Sequence, residues 1–421
     1  MDKIYYTRTR SAFVWSRILK TPFWAIYSLL PFILYQQMGA AMDHPPFQIA
    51  VMIAMKPMVA IFSLYWSAAV TRRRDRLVSN IVWAGILGVV PFLFFPYFEN
   101  SWYFVFSFAV YMLFHRGAIP AWMEVMRLNT PGISGKKIFA YGSAIGYVGD
   151  GVLPFLIGPL LDGYFEMWRW LFPLAALLSL MAVFFQSRIL IKLDDPALSI
   201  PPKNLSTLWV GLIKPWKDAW NLLVERADFR GFQLGFMFGG AGLMIMQAVL
   251  PAYFKGVLQL SWTELAVALT LCKGIGFAVT SQSWANWMHR VDVYRASSFV
   301  TLIACVFPLC LLGANFHIFL VYAAYIAYGV MQAGSELTWN LSGPIFSKEQ
   351  DSSLYSGVNV VTVGIRGCVA PLLGTWLLYH SNPGVVLLFG GGFCLLATIT
   401  MGVNSRTRGA LIMEHPLHSP E

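Results

Sequence analysis

Charge is scarce in this sequence. Of 421 residues, 12% are Asp, Glu, Lys or Arg and 57% are hydrophobic. A soluble domain carries about twice that charged fraction, so a soluble globular protein is excluded. Cysteine is scarce as well. Cys272, Cys305, Cys310, Cys368 and Cys394 all fall inside apolar segments, and no pair has metal-ligand spacing. They read as free, buried thiols, and no metal site is expected. The sequence has no G-x-x-x-x-G-K-S/T loop, no H-E-x-x-H and no G-x-S-x-G. An ATP-driven engine, a zinc protease and a serine hydrolase are therefore disfavoured. Neither enzyme activity nor a cofactor is expected. The first twenty residues, MDKIYYTRTRSAFVWSRILK, are basic and contain no long apolar core. No cleavable signal peptide is expected there.

What is abundant is apolar and aromatic surface. Phe, Trp and Tyr make up 16% of the chain, which suits a protein with a large lipid-facing area. A helix needs about 20 apolar residues to cross a bilayer. Twelve such runs are present, near 22–40, 47–70, 77–97, 101–126, 138–162, 168–190, 229–254, 263–287, 296–314, 317–341, 355–379 and 383–403. The net charge is +10. In a soluble protein that would suggest a nucleic-acid partner. Here the basic residues sit mostly in short loops, so the membrane charge rule accounts for them and no nucleic acid is expected. The loops on the side of the termini hold TRRRDR (71–76), Arg127, Lys136, Lys137, Arg290, Arg295 and Lys348, whereas the opposite loops hold Arg169 and Lys255. Both termini are thus expected to be cytoplasmic, in a multi-pass protein of the cell (inner) membrane. Tyr65, Trp66, Trp102, Trp168 and Trp170 lie at span ends and read as interface anchors.

One long connection interrupts the pattern. Residues 192–228 begin as a Pro-rich linker and continue with apolar residues at helical spacing: Leu205, Leu208, Trp209, Leu212, Trp216, Trp220 and Leu223. This reads as an interfacial helix, broken or kinked at Pro215. It divides the chain into an N-terminal six-helix half (1–191), a linker (192–228), a C-terminal six-helix half (229–404) and a tail (405–421).

The halves repeat. An offset of 217 carries Lys56 onto Lys273, Arg73 onto Arg290, Asp75 onto Asp292 and Trp122 onto Trp339. An offset of 216 carries Asp150 onto Arg366, Gly151 onto Gly367 and Gly158 onto Gly374. Parallel repeats of six spans are a transporter signature, since two similar halves can rock about a central site.

At this level the chain resembles the major facilitator superfamily along nearly its whole length. The loop SAAVTRRRDR (67–76) stands where that family has G-x-x-x-D-R-x-G-R-R. Ser67 replaces the Gly, Thr71 replaces the Asp, and Arg72 falls on the following Arg. ANWMHRVDVYR is the corresponding stretch of loop 8–9. VLPFLIGPLLDG (152–163) is similar to part of the family's antiporter motif in helix 5, and Arg116, in FHRGAIPA, falls where antiporter members carry an Arg. The resemblance implies an all-α polytopic membrane protein with twelve transmembrane helices in two six-helix pseudo-symmetric halves. It implies gating loops at Arg72, Arg73, Asp75, Arg290 and Asp292. It also implies that helices 2, 5, 8 and 11 form the seam between the halves and that helices 4 and 10 line the cavity.

Charges inside the spans carry the functional reading, because a charge at mid-bilayer costs about 2.5–3.5 kcal/mol on insertion scales. Lys56, Arg116, Glu124, Asp150, Lys273, Glu336 and Arg366 lie there. Glu124, close to Arg127, reads as interfacial. Lys56 lies about nine residues from the outer end of its run, or roughly 14 Å, deep for a lysine to snorkel out. With the implied seam, Asp150 can pair with Lys273, leaving Lys56 and Arg366 with no acid between them. An anion joining them relieves that cost. The expected substrate-binding residues are Lys56, Arg116 and Arg366. Asp150, Lys273 and Glu336 are the candidates for coupling or ion pairing, with Glu336 the preferred protonation site. Static ion pairs within the bundle are the competing reading of the same charges.

The expected function is secondary active transport of a small, anionic organic solute by alternating access, coupled to a proton or counter-ion, in a monomer. Two alternatives stand beside it: an exporter of amphipathic drugs or lipids, and a transport-inactive membrane sensor or scaffold.

Overall fold

A computed structural model of the chain describes residues 3–38, 45–72, 74–130, 133–191, 205–288, 290–347 and 352–413. The described residues form helices and short connections, with no strand. In chain order the helices are α1 (Lys3–Tyr27), α2 (Leu30–Met38), α3 (Pro45–Arg72), α4 (Leu77–Val89), α5 (Ser101–Asn129), α6 (Ile133–Gly163), α7 (Trp168–Ser187), α8 (Leu205–Glu225), α9 (Ala227–Pro251), α10 (Trp262–Ala266), α11 (Lys273–Met288), α12 (Val293–Gly313), α13 (Phe319–Ser347), α14 (Ser352–His380) and α15 (Pro383–Met413). Helix is found in each of the twelve apolar runs, among the described residues. Among the described residues, nine helical segments are long and apolar enough to cross a bilayer, and two more, Phe47–Phe62 and Gly151–Gly163, are apolar but shorter.

The first span differs from its expected bounds. It was expected to start at residue 22, but the helix starts at Lys3, and the apolar segment runs from Ile4 to Gln37. The reason is a face rather than a run. Thr9, Ala12, Phe13 and Ser16 are all buried, spaced three and four residues apart, so one stripe of a basic segment packs inside while the rest stays polar.

The chain divides into two compact units, Met1–Asn204 with Ser261–Ala266, and Leu205–Leu260 with Val267–Glu421. In the first unit α1 packs on α6 and α7, and α5 packs on α3 and α4. An aromatic cluster fills one end: Phe23 meets Phe92 at 4.8 Å, Phe95 meets Phe172 at 4.8 Å, and Phe104 meets Trp168 at 5.3 Å. Trp168 is fully buried in this cluster, and Trp66 packs on the core around Ala12, Leu77 and Val125. These two are core residues rather than interface anchors. Trp102 and Trp170, 48% and 61% exposed, do face outward.

Asp162, in the GPLLDG stretch, closes the end of α6 onto α10. Its carboxylate accepts from the Trp262 and Thr263 backbone N–H groups at 2.6 and 3.0 Å and from the Thr263 hydroxyl at 2.6 Å. Ser261 and Glu264 complete the same helix start reciprocally: Ser261 N–H donates to Glu264 at 2.7 Å and Glu264 N–H to Ser261 Oγ at 3.1 Å, a capping box.

In the second unit α9 packs on α14 and α15, α12 on α13 and α15, and α11 on α13. α8 runs through Pro215 without the expected break. Its Ala219 and Leu222 join a buried cluster with Phe229, Phe232 and Tyr294, and Trp216 and Trp220 stay exposed. Arg226 pins the junction of α8 and α9. It forms a bidentate pair with Asp228 at 3.0 and 2.7 Å, and donates to the Tyr355 hydroxyl at 2.7 Å and the Phe346 carbonyl at 3.0 Å.

The repeat-related lysines sit at matching irregularities. Lys56 precedes Pro57 inside α3. Lys273 follows a π-helical turn, Val267–Cys272. A proline removes a backbone donor and a π turn shifts the ladder by one residue, so both positions leave regular helix. α13 comes close enough here that a side chain on Gly329 would strike the Lys273 carbonyl. All five cysteines are free; Cys272 and Cys394 are buried and the other three half-buried.

Candidate functional site

A cavity of ≈ 450 Å³ lies inside the first unit, among α1, α4, α5, α6 and α7. Its aromatic wall is Phe13, Trp24, Tyr111, Phe114 and Trp122. Its charged or basic lining is Arg17, Lys20 and His115, with no Asp or Glu among the described residues. The i, i+3, i+4 spacing of Phe13, Arg17, Lys20, Thr21 and Trp24 on α1 places these residues along the cavity. His115 stacks on Tyr111 at 5.5 Å and meets the Trp24 edge at 4.8 Å. It lies within electrostatic reach of Lys20, Arg116, Arg17 and Lys56. The Arg17 guanidinium sits 5.2 Å from the Phe13 ring centroid.

Polar atoms in this cavity are left without partners. The Lys20 ammonium has no carboxylate and no hydrogen-bond acceptor among the described residues. Gln186 donates through Nε2 to Ser16 Oγ at 2.9 Å, and its Oε1 is buried and unpartnered. The Ser179 hydroxyl is buried and unpartnered too. Arg116, next to His115 on α5 but not among the described lining residues, also has a buried Nε with no partner. Unpaired buried groups of this kind cost about 1–3 kcal/mol each.

The structure places in the cavity two cations that the sequence reading left in the N-terminal tail, Arg17 and Lys20, whereas Lys56 and Arg116 are not among its described lining residues and lie within electrostatic reach of His115. The usable signal for those two was the stripe Thr9, Ala12, Phe13 and Ser16, which continues the helix backwards from Phe23. Lys56 is exposed on α3 and Glu336 is exposed on α13, whereas Lys273 is half-buried at the start of α11. Arg366, in the second unit, donates to the Phe236 carbonyl at 2.6 Å and lies 4.4 Å from the Phe236 ring, with its Nε buried and unpartnered. The Asp150 backbone is part of α6 and that of Arg72 closes α3; their side chains, and all of Arg73, lie outside the described residues.

The two loop aspartates have different partners. Asp292 N-caps α12, accepting from Tyr294 and Arg295 N–H at 3.0 Å each, and also accepts from the Ser405 hydroxyl at 2.8 Å. Asp75 lies 3.9 Å from Arg76, and α4 starts without a side-chain cap. Arg290, exposed, follows the end of α11. The repeat extends to packing. Phe13 meets Trp122 at 5.6 Å in the first unit, and Phe236 meets the repeat-related Trp339 at 5.2 Å in the second. In each unit an arginine covers that Phe, Arg17 in one and Arg366 in the other.

Comparison with known proteins agrees with this architecture. The nucleoside transporter NupG superposes with a TM-score of 0.71 at 13% identity, over 94% of this chain and 98% of its own. A POT family transporter in complex with 5-aminolevulinic acid superposes with a TM-score of 0.71 at 11% identity, over 95% and 96%. A POT peptide transporter in complex with sulfate gives 0.68 at 14% identity, over 96% and 95%. No curated protein sequence matches. The family model of the Major Facilitator Superfamily matches residues 21–365. The chain belongs to the Major Facilitator Superfamily, and it is a membrane transporter rather than an enzyme.

Proposed function

We propose that this transporter moves a small, anionic organic solute by secondary active transport. The observation that carries the reading is the cavity in the first unit, whose described ionisable lining holds the cations Arg17 and Lys20 and no described carboxylate. A buried ammonium without an acid is unfavourable until a negative charge joins it, and Lys20 has no acid among the described residues, so the site favours an anionic ligand over a neutral or cationic one. In this reading Lys56 and Arg116 bind the substrate with Arg17 and Lys20, and Arg366 contributes the matching positive charge of the second half.

Alternating access uses the halves 1–191 and 229–404, joined by 192–228. Coupling is to protons or to an exchanged anion, through Asp150, Lys273 and Glu336. The loops at Arg72, Arg73, Asp75, Arg290 and Asp292 gate it. The protein works as a monomer in the cell (inner) membrane with both termini cytoplasmic.

Uptake into proteoliposomes tests the reading. With a panel of labelled organic anions, cations and neutral solutes, an anion is expected to accumulate. Lys56→Ala and Arg366→Ala are each expected to abolish its uptake while eluting as folded monomers. Normal uptake by both variants, or accumulation of cations alone, refutes the anion site.

A further inference from the structure

Resting on the anionic reading of the cavity, we infer that its ligand is an aromatic organic acid with a hydrogen-bond donor, a hydroxyl or N–H, adjacent to the acidic group. Two sets of atoms lead to this class. The Lys20 ammonium needs a negatively charged acceptor. The Gln186 carbonyl needs a donor, because Gln186 is fully buried, its amide nitrogen is already committed to Ser16, and its Oε1 has no partner. A plain carboxylate satisfies Lys20 and leaves Gln186 unsatisfied. A neutral alcohol does the reverse.

The two requirements are close in space. A methyl group built on Gly85 would lie 3.1 Å from Gln186 Oε1 and 3.7 Å from Lys20 Nζ. The two atoms are therefore within about 7 Å of each other, the span of a carboxylate and the substituent beside it. The Ser179 hydroxyl, also buried and unpartnered, lies two turns back on α7 and can take either part in a further bond. A methyl there would also lie 3.0 Å from Val183 Cγ2, so the glycine is what leaves this corner its room. The rest of the cavity supplies aromatic surface: Trp24, Tyr111, Phe114, Phe13 and Trp122. Cavities of several hundred Å³ with aromatic lining and a few convergent polar groups are the usual setting for a ring-bearing small molecule.

Four probes separate the requirements. Mandelate has the ring, the carboxylate and the hydroxyl beside it. Phenylacetate lacks the hydroxyl, lactate lacks the ring, and mandelamide lacks the charge. Binding to the full-length, detergent-solubilised protein is measured by titration calorimetry, with thermal unfolding as a folding control. Mandelate is expected to bind, and phenylacetate and lactate to bind about tenfold or more weakly, the scale set by one buried polar group or one ring contact left unmade. Lys20→Met is expected to lose mandelate binding. Gly85→Ala, which narrows the corner without removing a polar group, is expected to weaken mandelate more than phenylacetate.

Equal binding of mandelate and phenylacetate overturns the donor requirement and leaves the anionic reading standing. Equal binding of mandelate and mandelamide overturns the anionic reading itself. No binding of mandelate at millimolar concentration by the folded wild-type protein overturns the assignment of this substrate class, while the uptake panel still judges the anionic reading.

Discussion

Gln186 donates to Ser16 at 2.9 Å, and that bond turns its carbonyl, buried and unpartnered, toward the corner shared with Lys20 and Gly85. Replacing Gln186 with Met removes a satisfied donor and an orphaned acceptor together. Losing the bond costs about 1 kcal/mol, and losing the orphan returns a similar amount. Gln186→Met is therefore expected to unfold at nearly the parent temperature but to lose the stabilisation that mandelate gives the parent. Thermal unfolding with and without mandelate checks both halves of that statement.

Lys20→Met separates a waiting cation from a structural one. A lysine held in a buried ion pair is costly to remove, about 3–5 kcal/mol, because its partner is stranded. Lys20 has no such partner among the described residues. Its replacement by a long apolar side chain is expected to leave the unfolding temperature unchanged or raised, and to abolish anion uptake. Both are read on one preparation by scanning fluorimetry and proteoliposome uptake.

Arg366 is held by two contacts of different kinds, a hydrogen bond to the Phe236 carbonyl and a stack over the Phe236 ring. Lysine can keep the bond but cannot reproduce the planar stack. Arg366→Lys is expected to destabilise the protein by roughly 1 kcal/mol, and Arg366→Met by more, since the carbonyl then loses its donor as well. Denaturant or thermal unfolding of the two variants against the parent gives the order.

The helix starts of α12 and α4 are expected to differ in what their N-cap residues contribute. Asp292 caps α12 with two backbone bonds, and Asp292→Ala is expected to cost about 1 kcal/mol. Arg76, at the N-cap of α4, makes no side-chain cap, so Arg76→Ala is expected to cost less than half of that. Hydrogen exchange at the first turns of α12 and α4 in the paired variants reports the difference locally.

The fold was legible in the sequence because bilayer-crossing runs and a 217-residue repeat are long-range signals that single residues cannot erase. The charged candidates Lys56, Arg116 and Arg366 were legible for the same reason, as charges set against apolar runs. Arg17 and Lys20 were not, because they follow a basic segment whose mean hydropathy hides the buried stripe from Thr9 to Ser16. Gln186 and Ser179 carried no signal either. A neutral polar residue near a span end is unremarkable until the structure removes its partners. Asp162 stood in a recognised motif, but its role depends on where α10 begins, and no periodicity encodes that. Trp168 was misplaced by position alone: aromatics at span ends anchor interfaces only where they face lipid, and this one faces Phe95 and Phe172.

The central claim, that the first unit's cavity takes an anion on Lys20, is tested most directly by thermal stabilisation of wild-type and Lys20→Met protein across a panel of organic anions, cations and neutral solutes. The account predicts that the strongest stabiliser of the wild type is an anion and that the variant, equally folded, loses that shift. Stabilisation led by a cation or neutral solute, or an anion shift that survives unchanged in Lys20→Met, would contradict it.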